Sequence, residues 1–336
     1  MELPAGAAWS DAVGEAAWIG ERLAPAGAGR VTSVVPGGFD AYARVLHPAE
    51  DPVYGGRLVR WAEVAAWSGT PLRADAQFHT IALPPVRPER DAPWSGQGPR
   101  QGELYPPDAE ALAGIARDWT TTPERCWFCL WDGYGAGTLL TPPGEPSVPV
   151  PDPVPAPVRH GPRVRLPNRD YLLYTGPVEA VLTTDPLPGG DQAANLWWPA
   201  DRAWCVASEI DLAWTYVAGP VGMIERVLAD TRIEALPAGP GDPTARVEDW
   251  VADWAAEAAA TLLSESKAVI TTPRGTVEAW LERPAWPRRG KLRTRSSGDN
   301  GVRGSGERPL SHRDGERLRD EITMDLTYEV IGLVGG

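Results

Sequence analysis

The sequence predicts an α+β protein with mixed or mainly antiparallel sheets and flanking helices. Short segments in which apolar and polar residues alternate recur along the chain, as half-buried strands require, and segments with helical spacing lie between them. Gly and Pro number 36 each in 336 residues, which predicts many turns. Hydrophobic residues make up 43% and charged residues 23%, a balance typical of globular proteins.

Residues 1–140 predict an N-terminal α+β region. Residues 11–23 have helical spacing, and residues 30–35 and 39–46 flank a Pro-Gly-Gly turn as a pair of strands. The other predicted elements of this region are a helix over 58–67, a strand over 77–83, a helix after Asp108 and an apolar strand over 125–132.

Residues 141–162 contain nine prolines and favour extended polyproline II structure. This segment is either a linker between two domains or a long loop within one domain. Residues 163–282 then predict a C-terminal α+β region. Its predicted elements are strands over 163–166 and 171–174, a short helix over 178–182, a hairpin over 196–210, and helices over 221–228 and 247–263.

The end of the chain has two further parts. Residues 283–320 are rich in Arg, Gly and Ser and predict a basic, flexible segment. In residues 321–330 apolar and polar side chains alternate, which predicts a terminal strand over 321–331. This strand pairs either within its own sheet or with the sheet edge of a protein partner or of a second copy.

The charge of the chain disfavours nucleic acid and anionic membranes as partners. Binding to either depends on cationic side chains, whereas the net charge is −13. Only residues 283–320 are basic, with 11 Arg or Lys against 5 Asp or Glu. The N-terminus lacks a cationic start followed by an apolar run, and the chain has three cysteines, so we expect a cytoplasmic protein without a disulfide framework.

The candidates for catalysis are few. Glu209 and Asp211 lie two residues apart, so on a strand both carboxylates emerge on one face, where they act as acid and base or remain a solvated edge. His47 and His79 are the histidines expected in folded structure and are weak candidates for a base. The histidine and cysteine spacing predicts no metal or cofactor site.

Cys126 and Cys129 lie three residues apart in a predicted strand, and their side chains therefore point to opposite faces. They cannot meet as a redox pair or bind one ion, so we interpret them, with Cys205, as small buried side chains. The chain also has sixteen tryptophans. The indoles of Trp127, Trp131, Trp197 and Trp198 either pack in a core or line a ligand groove or an interface.

Three segments, Val34–Pro48, Cys126–Gly135 and Asn195–Gly219, resemble a group of actinobacterial proteins without an assigned activity. The resemblance spans most of residues 1–265 and implies no site residues. Leu166-Pro167 followed by Tyr171 also resembles the SMI1/KNR4-like immunity and interaction domains.

The sequence is compatible with two functions. The first is a noncatalytic protein-binding or regulatory protein that contacts a protein partner through a Trp-lined surface or the terminal strand. The second is a hydrolase acting on a sugar-like or other polar small molecule with Glu209 and Asp211. The hydrolase requires these carboxylates to line a cleft together with a histidine or a further carboxylate.

Overall fold

A computed structural model describes most of the chain. The described residues are 6–25, 29–51, 57–82, 98–133, 154–167, 169–183, 193–244, 249–272, 275–282, 290–298, 303–310, 317–319 and 321–326. They fall into two units by their contacts: one within 1–48, 73–75 and 99–244, the other within 49–72, 76–98 and 245–336.

The strands are numbered in chain order. They are β1 (Ala8–Trp9), β2 (Ala41–Leu46), β3 (Ala49–Asp51), β4 (Arg57–Val59), β5 (Cys126–Trp131), β6 (Val164–Arg165), β7 (Asp170–Gly176), β8 (Leu196–Pro199), β9 (Cys205–Ser208), β10 (Trp214–Gly219), β11 (Ala235–Ala238), β12 (Lys267–Thr272), β13 (Gly275–Glu282), β14 (Lys291–Gly298) and β15 (Arg303–Pro309).

The helices are α1 (Ala17–Arg22), α2 (Trp61–Ser68), α3 (Phe78–Ala82), α4 (Pro106–Arg117), α5 (Ala156–Arg159), α6 (Val221–Ala229) and α7 (Asp249–Glu265). Short 3-10 helices cover Val13–Ala16, Val31–Ser33 and Val178–Thr183. Residues 317–319 and 321–326 are also helical. None of the described helices is long and apolar enough to cross a membrane.

The first unit is built on an antiparallel sheet in the order β1-β7-β5-β8-β9-β10-β2-β11, with β6 beside β7. Successive side chains of a strand point to opposite faces. One face joins Phe128, Val206 and Val217 to the apolar sides of α4 and α6 in a single core. On the other face, Trp198 packs edge-on against Trp18 of α1, with ring centroids 6.3 Å apart.

The second unit contains an antiparallel sheet in the order β12-β13-β14-β15. Alternate residues of its strands, among them Ile270, Val277 and Leu292, face a core. Helix α7 contributes Ala255, Ala258, Ala259 and Leu262 to this core, and the terminal helical residues contribute Leu318, Ile322 and Leu326. This unit also contains the β3–β4 hairpin and the helices α2 and α3.

The predicted fold class is confirmed, since helices flank antiparallel sheets in both units. Several elements differ from their predictions, two of them near the N-terminus. Residues 31–33 form a 3-10 helix and not part of a strand, and residues 78–82 form α3 where a strand was predicted. In α3 the buried side chains of Phe78, Ile81 and Ala82 are spaced three and four residues apart, which is helical spacing.

Residues 141–162 were predicted to be either a linker between two domains or a loop within one, and the strand pairing agrees with a loop. β5 precedes this segment and pairs with β7 and β8, which follow it. Strands from both sides therefore belong to one sheet, and the segment is not a boundary between the two units. Within it, residues 156–159 form α5, and residues 141–153 lie outside the described part of the chain.

The prediction of a flexible segment over 283–320 is wrong at residues 291–298 and 303–309, which form β14 and β15. In β14, charged and uncharged residues alternate. Lys291, Arg293 and Arg295 face outward, whereas Leu292 and Thr294 are buried. β14 therefore has a buried side despite its Arg and Ser content. The other described residues of the segment are 290, 310 and 317–319.

The predicted terminal strand is also wrong, because residues 321–326 are helical. Leu318, Ile322 and Leu326 recur every fourth residue and are buried together, while Met324 is 55% exposed. The helical spacing of these three residues outweighs the local alternation, since it buries all of them on one side. Residues 327–331, the rest of the predicted strand, lie outside the described residues.

Candidate functional site

Glu209 and Asp211 do lie together, and both bind Arg169. The Arg169 guanidinium donates to Glu209 Oε1 from Nε at 3.1 Å and from Nη2 at 2.7 Å, and Nη2 also donates to Asp211 Oδ2 at 2.9 Å. Glu209 is largely buried, with 19% of its side chain exposed, whereas Asp211 is 74% exposed. The two carboxylates therefore share one permanent cation.

Arg169 is held from a second side by Trp131, since its guanidinium carbon lies 5.2 Å from the centroid of that indole. Arg169 precedes β7, Trp131 ends β5, and Glu209 follows β9. The cluster thus joins three strand ends with charge-assisted hydrogen bonds. The arrangement makes Glu209 an ion-pair partner of Arg169.

His47 lies in a buried chain of hydrogen bonds. Its Nδ1 is 2.8 Å from the carbonyl oxygen of Arg100, and its Nε2 is 2.9 Å from Thr215 Oγ1, which is 2.6 Å from Ser208 Oγ. The carbonyl can only accept, so Nδ1 carries the proton and Nε2 accepts from Thr215. Burial lowers the pKa of His47 to about 4. The neutral imidazole has both nitrogens occupied, and the chain is a structural element.

His47 does not share a cleft with the carboxylates. His47 bonds Thr215, which is paired with Val45 and Ser208 on the α4 side of the sheet. Glu209 follows Ser208 and binds Arg169, whose guanidinium lies over the ring of Trp131 on the opposite side of the sheet. His79 belongs to α3 in the second unit, and its side chain lies outside the described structure.

The tryptophans that were candidates for a groove are mostly core residues. Trp197 and Trp198 are 1% and 0% exposed, and Trp127 is 9% exposed, so none of the three offers a free ring face. Trp131 is partly exposed, and the Arg169 guanidinium packs over its ring.

The three cysteines are buried and free, as the strand spacing predicted for Cys126 and Cys129. Burial raises the pKa of Cys126 to about 12 and also raises the pKa values of Cys129 and Cys205. In the part of the chain that the structure describes, no three His, Cys, Asp or Glu side chains are grouped to hold a metal ion.

A different surface stands out in the second unit, on the side of the β12–β15 sheet that faces away from α7. We call it the open face. It consists of Lys267, Val269, Glu278, Trp280, Glu282, Lys291, Arg293, Arg295, Ser305 and Glu307. Their side chains project to one side because they are every second residue of paired strands. Part of this face is a groove of about 670 Å³ around Trp280, Arg293 and Arg295.

Trp280 is the centre of the open face and lies between two cations. The Lys267 ammonium is 5.5 Å from its ring centroid, and the Arg295 guanidinium carbon is 5.6 Å from it. These distances are within the range of cation–π attraction. Trp280 is therefore held in place on the open face while part of its ring remains exposed.

The other charges of the open face form ion pairs across the strands. Arg293 binds Glu282 and Glu307 at 2.9 Å each, and Lys291 binds Glu307 at 2.5 Å. Lys267 is 3.5 Å from Glu278. Arg295 differs from these groups, because no described carboxylate pairs with it.

Sequence interpretation missed Trp280. The signal was present: Val277, Ala279 and Leu281 alternate with Glu278 and Trp280. No strand was predicted there, because the segment lies between a clear helix and an Arg-rich stretch. No protein-family model, curated protein or solved structure matches this chain.

Proposed function

We propose that this is a noncatalytic protein-binding protein and that the open face of the second unit is its docking surface. The observation that carries the proposal is Trp280, a partly exposed indole held between Lys267 and Arg295 in a groove. Trp and Arg are the residues most enriched at the energetic centres of protein interfaces. A side chain that is already fixed loses little conformational entropy on binding.

The charges of the open face indicate which chemical groups a partner should present. Its acidic side chains and three of its cations are already joined in ion pairs, so a partner gains little from them. Arg295 has a guanidinium without a carboxylate among the described residues and lies against the apolar ring of Trp280. A protein surface that presents a carboxylate beside an apolar side chain fits both groups.

The hydrolase hypothesis has less support. Glu209 and Asp211 are joined to Arg169. Two histidine side chains are described: His160 is exposed, and His47 is buried on the other side of the sheet. General acid–base catalysis requires a proton-transferring group within reach of a bound substrate. We retain the cytoplasm as the expected compartment, which suits a protein with three buried, free thiols.

The proposal predicts that Trp280→Ala and Arg295→Glu each weaken capture of the same partner. The experiment is affinity purification of full-length protein from the native host, followed by calorimetry with the purified partner. Each substitution should weaken binding by about 2 kcal/mol, or roughly thirtyfold, because both side chains lie at the centre of the interface. Binding should also weaken as salt is raised, since Arg295 pairs with a carboxylate.

The matched control is Trp67→Ala, which removes a 45% exposed indole from α2 in the same unit and should leave binding unchanged. A partner that binds both Trp280→Ala and Arg295→Glu with wild-type affinity would show that the open face is not the docking surface.

A further inference from the structure

The edges of the sheets differ in how well they are protected against pairing with another chain. An edge strand exposes unpaired N–H and C=O groups, and proteins shield such edges by keeping them short or by placing proline, glycine or charge there. Among the described strands, β1 and β6 have two residues each, β3 and β4 three each, and β11 contains Pro237. β15 contains Gly304, Gly306 and Pro309.

Of these protections, β12 has only a single charge. It is six residues long, forms an end of the second sheet, and contains neither glycine nor proline. Four of its residues are β-branched, Val269–Thr272, which favours pairing as a strand. Its single charge is Lys267 at its first position, and Val269 at its middle is 53% exposed.

The hydrogen-bond pattern identifies the N–H and C=O groups of β12 that do not bond β13. Leu281 N donates to Ser266 O at 3.0 Å, so Ser266 belongs to the residues that bond β13. In an antiparallel pair this role alternates along the strand, and the N–H and C=O groups of Lys267, Val269 and Thr271 therefore point away from β13. No described residue bonds these outward groups.

We propose that β12 pairs antiparallel with β12 of a second copy of this chain, on a two-fold axis at Val269. This register places Val269 opposite the second copy's Val269 and Lys267 opposite its Thr271. All the outward groups are then used, giving about six hydrogen bonds between the chains. The result is a continuous eight-stranded sheet.

The side chains support the same register. On the open face, the two exposed Val269 side chains cover each other. On the α7 side, Ala268 lies opposite Ile270 of the second copy, and both residues already belong to the apolar core. An interface through one strand is small, so the dissociation constant is expected in the micromolar range.

The test is the oligomeric state of the full-length protein by sedimentation equilibrium. We expect a monomer–dimer equilibrium at concentrations on the order of 100 µM. Val269→Lys places two ammonium groups side by side and should raise the dissociation constant at least about tenfold. Val221→Lys is the matched control, since Val221 is similarly exposed, at 50%, and lies on α6. It should leave the dimer unchanged.

A crosslink tests the register directly. In the full-length protein, Val269→Cys should form a disulfide-linked dimer with oxidised glutathione, because directly opposed residues have Cα atoms about 5.5 Å apart. The native cysteines are buried and should not compete. Ser305→Cys, on the protected edge strand β15, should form none. A monomeric wild type, a dimer unaffected by Val269→Lys, or crosslinking through Ser305→Cys in place of Val269→Cys would overturn the proposal.

The dimer seam and the proposed docking surface share Lys267 and Val269, but the two proposals can fail separately. Trp280→Ala should weaken partner binding roughly thirtyfold and leave the dimer intact. Salt should strengthen the dimer, because it screens the repulsion between two chains of net charge −13, whereas it should weaken the contact of Arg295 with a carboxylate.

Discussion

At the scale of single residues, His47 makes the stability of the fold depend on pH. The folded protein holds its pKa near 4 because the ring is buried, whereas an unfolded chain has a histidine pKa of about 6.5. As pH falls below about 6.5, the unfolded state binds this proton first, and stability is lost until about pH 4. The difference corresponds to a loss on the order of 3 kcal/mol.

Urea unfolding at a series of pH values between 7 and 4 measures this effect. His47→Gln removes the titrating group and should flatten this part of the pH dependence, although the variant itself is less stable. Substituting the exposed His160 by Gln controls for the general effect of losing a histidine. Equal slopes for wild type and His47→Gln would mean that the buried imidazole is not the source.

Gly102 is the residue that holds the Arg100 segment against the turn between β9 and β10. Its φ is +79°, its N–H donates to Leu212 O at 3.0 Å, and an added Cβ would lie 2.8 Å from Ile210 Cα. Gly102→Ala should therefore cost about 2 kcal/mol or more of stability, from both the backbone conformation and the overlap.

Gly114→Ala should have the opposite effect on stability. Gly114 lies inside α4 with no atom within 4 Å of an added Cβ, so alanine should stabilise by about 0.5–1 kcal/mol. Thermal unfolding compares the two variants. Equal effects at the two sites would contradict the close contact at Gly102.

The Arg169 cluster contains one feature that the sequence predicts and one that it does not. The closeness of Glu209 and Asp211 was predictable from their two-residue separation, but the strand on which the prediction rested is absent there: β9 ends at Ser208, and both residues lie in the turn that follows it. Their partner Arg169 was not predictable, because the contact joins the ends of strands that are distant in sequence. Local spacing gives the direction of a side chain, but only the sheet order gives its neighbours.

At the scale of elements, long patterns were predictable and short ones were not. The apolar strand β5 and the helices α6 and α7 were found near their observed positions, because several core residues recur in each. The terminal residues 321–326 satisfied two patterns, alternation and a spacing of four that includes Leu318. The core against which these residues pack decided between the two patterns. That core includes β14, which was interpreted as flexible, and β12 and β13, for which no strand was predicted.

The described residues of the molecule include one large apolar core in each unit, and the chain passes from the first of these cores to the second after residue 244 and not in the proline-rich segment. The second core needs the end of the chain. Leu292, Leu310, Leu318, Ile322 and Leu326 are all at most 3% exposed and belong to it. At about 2 kcal/mol each, their burial contributes on the order of 10 kcal/mol, comparable to the stability of a domain.

A chain ending at Leu281 should therefore lose the second unit and not merely a tail. It keeps α7, β12 and β13 but lacks the strands and helical residues that cover their apolar side, so we expect dye binding to exposed apolar surface and rapid proteolysis within 249–281. A chain ending at Thr244 keeps every strand of the first sheet and should retain the near-ultraviolet circular dichroism of Trp197 and Trp204. Protection of 249–281 at the full-length level in the chain ending at Leu281 would contradict a core that depends on β14, β15 and the terminal helical residues.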